Sequence, residues 1–173
     1  MASNNASITL KVNGQVVTAD VDVRWTLADF LRDQLQLVGT HLGCEHGVCG
    51  NCTVLVNGET VRSCLTLAVQ CHHAEILTIE GLSATGSLHP MQEAFWESHA
   101  VQCGYCTPAM ILASMELLQQ TPQASRQQIR ESLSGILCRC TGYDSIINAV
   151  ELAKQKMAQG PKGEGGKMDG SGA

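Results

Sequence analysis

A chain of 173 residues with 44% hydrophobic content and a formal charge of −5 can bury one large or two small cores in water. Aromatic residues make up only 3%, which excludes stacked-aromatic nucleic-acid surfaces, and the acidic balance excludes the basic face of a phosphate-backbone binder. No apolar run reaches the roughly 18 residues that a membrane helix requires.

The chain opens on Met-Ala-Ser-Asn-Asn-Ala-Ser, without the basic region and apolar run of a signal peptide or a twin-arginine start, so a cytoplasmic location is expected. In that reducing setting, nine cysteines point to metal or redox chemistry rather than disulfides. Ile8, Leu10 and Val12 alternate with Thr9 and Lys11, and Asn13-Gly14 separates them from a β-rich run from Val16 to Val23. The pattern predicts a hairpin with a type I′ turn. Thr26 is placed to cap a short helix whose Leu27, Phe30, Leu31 and Leu35 share one stripe.

From Gly43 to Cys64 the chain carries Cys44, Cys49 and Cys52 in one glycine-punctuated loop, followed by Cys64 after a second hairpin signal at Asn57-Gly58. C-x4-C-x2-C with a remote fourth cysteine is the spacing of a plant-type [2Fe–2S] loop. Structural zinc more often joins two short knuckles, so this set favours iron. Gly47 and Gly50, and less so Gly43, are read as bringing backbone N–H groups close to cluster sulfurs. His46 is a non-ligand, because a Rieske centre replaces two cysteines by histidines and all four cysteines are present here. His41 is a candidate loop cap.

A strand over 75–79 completes a small mixed sheet with one packed helix. Gly81 to Ser87 reads as a connector, and beyond it the pattern turns helical. Pro90 opens a helix to about Ala100, Thr107-Pro108 opens another that ends at Thr121-Pro122, Ser125 with Gln128 forms a capping box, and a fourth helix starts near Tyr143. The expected division is 1–81, a connector 82–89, a helical domain 90–158 and a disordered Gly/Lys-rich tail 159–173.

The helical half carries Cys103-Gly104-Tyr105-Cys106 and Cys138-Arg139-Cys140, enough for a second four-thiolate site, with Cys106 and Cys140 each expected just before a helix N-terminus. By itself this set suits zinc, redox or iron–sulfur chemistry. Cys71 is left over as a buried apolar residue or free thiol. No nucleophile–base pair, Walker loop or dinucleotide fingerprint is present, so bond chemistry is not expected within the chain. A structural zinc module and a free-standing ferredoxin are the alternatives to a two-cluster electron carrier.

Gly43-Cys44-Glu45-His46-Gly47-Val48-Cys49-Gly50-Asn51-Cys52, then Gln102-Cys103-Gly104-Tyr105-Cys106-Thr107-Pro108, then Cys138-Arg139-Cys140-Thr141-Gly142-Tyr143 resemble the small iron–sulfur subunit of the molybdenum hydroxylases. That is the xanthine oxidase family, which includes aldehyde oxidoreductases, carbon monoxide dehydrogenases and quinoline oxidoreductase. The resemblance spans about residues 7 to 157. It implies an α+β chain: a ferredoxin-like β-grasp domain followed by an all-α four-helix bundle domain, each with one [2Fe–2S] cluster. It further implies molybdopterin on a separate large subunit and FAD on a medium subunit, with electrons passing from molybdenum across both clusters to FAD. By the same resemblance Gln102 and Cys140 lie closest to the pterin. Asn51 departs from the family, where alanine is more usual.

Overall fold

The computed structural model describes residues 4–83 and 86–158. The disorder expected for 159–173 lies outside the described residues, as do positions 84 and 85 of the connector.

β1 (Asn5–Val12) and β2 (Gln15–Asp22) pair antiparallel in the register Val12 to Gln15 and Asn5 to Asp22. Their turn residues Asn13 and Gly14 have φ of +49° and +84°, the left-handed pair that a type I′ turn needs. β3 (Thr53–Val56) and β4 (Glu59–Arg62) repeat the device around Asn57-Gly58. β5 (Glu75–Leu77) runs parallel to β1 and antiparallel to β3, giving the order β2-β1-β5-β3-β4.

β5 stops short of the expected Ile79. Thr78 N–H donates to Asn13 Oδ1 at 2.9 Å and its hydroxyl accepts from Asn13 Nδ2 at 2.9 Å. The hairpin side chain thus replaces a ladder partner, and the chain turns into a 3-10 segment over Ile79–Ser83.

Thr26 caps α1 (Leu27–Asp29) through a reciprocal box: its hydroxyl accepts from Asp29 N–H at 3.1 Å, and the Asp29 carboxylate accepts from Thr26 N–H at 3.0 Å. The helix then widens into a π turn over Phe30–Gln34, a feature that apolar spacing does not reveal. Leu27, Phe30 and Leu31 are buried against Ile8, Leu10, Val54 and Ile76, and this is the first core.

The second half contains α2 (Pro90–Glu97), α3 (Thr107–Gln120), α4 (Arg126–Leu133) and α5 (Asp144–Ala158). Ser125 and Gln128 close the expected capping box, with Ser125 Oγ accepting from Gln128 N–H at 3.3 Å. Met91, Phe95, Met110, Ile129, Leu133, Ile146 and Val150 are buried together. Arg126 clamps α4 to α5 through Asp144 at 2.7 Å and Glu151 at 2.6 Å.

Sheet first and four helices second is the α+β arrangement expected. α3 lies against β3 and β4, and its Glu116 accepts from Thr60 N–H at 3.0 Å. Among the described residues no helix is long and apolar enough to cross a membrane.

Candidate metal centres

The first cysteine loop contains no regular element, and its shape comes from residues in the left-handed region: Glu45, Gly47 and Gly50 at φ of +56°, +83° and +72°. Cys49 N–H points at Cys44 Sγ, 3.3 Å away. Hydrogen bonds from the N–H groups of Cys49, His46 and Val48 pull the Cys44 thiol down to about 6. Cys52 and Cys64 are buried, and burial, followed by the Cys52 thiol beside it, pushes Cys64 up to about 11. Gly47 N–H bonds to the Cys64 sulfur and favours its ionised form. The remote Cys64 therefore lies beside Cys52 and within reach of Gly47 N–H.

The second set gathers at one end of the helices. Cys106 is the N-cap residue of α3, as expected. Cys140, by contrast, is separated from α5 by Thr141, Gly142 and Tyr143, the last two with φ of +67° and +70°, so only Cys106 meets a helix N-terminus directly. Cys103 and Cys140 sulfurs are 3.5 Å apart and exposed. Burial, then the neighbouring Cys138 thiol, pushes buried Cys106 up to about 12. Burial acts to raise Cys138 as well, but hydrogen bonds from the Thr141 hydroxyl and N–H outweigh it and bring this thiol down. Thr141 Oγ1 lies 3.1 Å from Cys138 Sγ. Tyr143 braces the turn, its hydroxyl accepting from Cys138 N–H at 2.9 Å and donating to Ile136 O at 3.2 Å.

Both donor sets fit a [2Fe–2S] group. Each offers four thiols in mutual contact or electrostatic reach, with N–H or O–H groups aimed at sulfur, and iron binding ionises a thiol outright whatever its free tendency. Among the described residues, no group of three or more His, Cys, Asp or Glu side chains is spaced to hold one metal ion; a [2Fe–2S] cluster instead distributes four thiolates over two irons.

The sites adjoin through bonds that no local pattern announces. Leu137 N–H donates to Cys49 O at 2.8 Å, linking a residue of the first set to the neighbour of Cys138. Arg62 donates to Thr53 Oγ1 at 2.5 Å and to Gly135 O at 2.9 Å, while the Thr53 hydroxyl donates to Gly50 O at 2.6 Å. A Cβ on Gly50 would sit 2.2 Å from Gly135 O, so the helical half dictates glycine there. A Cβ on Gly43 would sit 3.2 Å from Cys49 Sγ. His41 bonds across the halves, its Nδ1 donating to Tyr105 O at 2.7 Å with the two rings stacked. Gln102 is exposed beside Cys103. His46 bonds to the Cys44 carbonyl, and Cys71 lies in the first core, away from both sets.

Residues 10–76 match the family model "2Fe-2S iron-sulfur cluster binding domain", and residues 78–151 match "[2Fe-2S] binding domain". The chain is 51% identical to the nicotine 6-hydroxylase small subunit of Paenarthrobacter nicotinovorans over 86% of its length and 89% of that protein. It is 52% identical to the caffeine dehydrogenase subunit gamma of Pseudomonas sp. (strain CBB1), over 83% and 88%. Quinoline 2-oxidoreductase from Pseudomonas putida 86 superposes with a TM-score of 0.87 at 44% identity, covering 91% of this chain and 99% of the matched one. Two adjoining four-thiol sites, each within a matched cluster-binding domain, and relatives that align almost end to end lead to one conclusion: the chain belongs to the small [2Fe–2S] subunits of the molybdenum hydroxylase family.

Proposed function

We propose that the chain conducts electrons from molybdopterin on a large partner subunit, across two [2Fe–2S] clusters, to FAD on a medium partner subunit. Cys44, Cys49, Cys52 and Cys64 hold one cluster, and Cys103, Cys106, Cys138 and Cys140 the other. Each cluster supplies reversible one-electron storage. Backbone N–H groups in the first loop, including Gly47, and Thr141 in the second favour the charged thiolates. Gln102 and Cys140, on the exposed edge of the second site, face the pterin, while exposed Val48 and Leu65 rim the first site on the flavin side. Substrate hydroxylation takes place on the large subunit.

The observation that carries this reading is the Leu137–Cys49 hydrogen bond, which joins one four-thiol loop directly to the other. The test is EPR of the reduced chain with metal analysis. Two distinguishable [2Fe–2S] signals are expected, and Cys49→Ser should remove one and leave the other. Isolation of the complex should bring down molybdenum- and FAD-containing subunits. A colourless, zinc-loaded chain overturns the reading.

A further inference from the structure

Asn51 is 7% exposed, yet its Oδ1 has no hydrogen-bond partner among the described residues. A buried amide oxygen without a partner costs folding free energy, so such an atom calls for an explanation. By sequence it belongs to the first loop, between Gly50 and Cys52. In space it lines a cavity of about 250 Å³ whose wall includes all four cysteines of the other set, Cys103, Cys106, Cys138 and Cys140, together with Leu137. That wall is fixed to the first loop by the Leu137–Cys49 bond and by Tyr105, whose hydroxyl donates to Leu42 O at 2.5 Å.

The ends of an amide are told apart only by their partners, so the orphaned position accommodates Nδ2 as well as Oδ1. Thiolate and sulfide sulfurs accept hydrogen bonds, and the amide end that satisfies them is N–H. We propose that Asn51, carried by the first loop, donates a hydrogen bond to the [2Fe–2S] cluster of the helical half and raises that cluster's reduction potential. Donors to cluster sulfur stabilise the added electron. The inference rests on the two-cluster reading above.

The experiment is a potentiometric titration of the full chain carrying both clusters, each EPR signal being followed separately and the first-loop signal identified by its loss in Cys49→Ser. Asn51→Ala should shift the helical-half signal to lower potential and leave the first-loop signal in place. Asn51→Asp keeps the shape but replaces the donor by a carboxylate, so it should shift the same signal further. A shift confined to the first-loop signal, no shift in either, or loss of both signals in both variants overturns the proposal. Absence of two signals in the unsubstituted chain would instead sink the two-cluster reading itself.

Discussion

Cys71 separates packing from chemistry at the scale of one residue. It is 2% exposed among Ile8, Leu10 and Ile76, and burial holds its thiol protonated by pushing its pKa up. Cys71→Ala should keep both cluster spectra and cost about 1 kcal/mol of stability, since it removes one buried heavy atom; a shifted denaturant midpoint with unchanged iron content is the expected result. The two groups of four cysteines were legible as groups because their spacing is itself the chemical signal, and Cys71 stood out as the remainder. Gly50 was legible as a glycine but not for its reason, because the carbonyl that excludes a Cβ belongs to Gly135, far along the chain. Asn51 could be seen as a departure, while the site it lines could not.

Among the elements, α2 is pH-sensitive at its first turn. His89 is its N-cap, with Nδ1 accepting from Met91 N–H at 3.1 Å. Burial lowers the His89 pKa below its ordinary 6.5, with Glu93 opposing. Below 6.5 the unfolded chain therefore binds more protons than the folded one, so this contribution is complete above that pH and is lost as the pH falls through it. Protonation also removes the Nδ1 acceptor. Hydrogen exchange of the α2 amides, corrected for intrinsic rate, should accelerate as pH drops below 6.5, and His89→Asn, which retains an acceptor without the titration, should flatten that dependence. Asn-Gly turns, Thr26, Pro90 and Ser125 made most element ends readable, because each acts through its nearest neighbours. The π turn after Asp29 and the positive φ of Tyr143 have no residue-type signal in the sequence, since neither position carries a glycine, proline or asparagine to announce it.

For the whole molecule, half-buried Arg62 is one of the side chains that join the halves, its fork reaching from Thr53, next to Cys52, to Gly135, close to Cys138. Arg62→Ala should cost about 1–3 kcal/mol and, with both clusters assembled, weaken the magnetic interaction between them in the fully reduced protein. Arg62→Lys should not restore it, because a single ammonium cannot span two acceptors as a guanidinium does. An unchanged interaction would show that the Leu137–Cys49 and His41–Tyr105 bonds fix the halves unaided. The order of sheet and helices was readable from the change in hydrophobic period, but their docking was not, since every bond across it joins residues distant in sequence. The contact of Gly50 with Gly135 also bears on synthesis. A ribosome delivers the first cysteine loop complete while its covering segment is still untranslated. One flank of that loop therefore stays uncovered until Gly135 has been added to the chain.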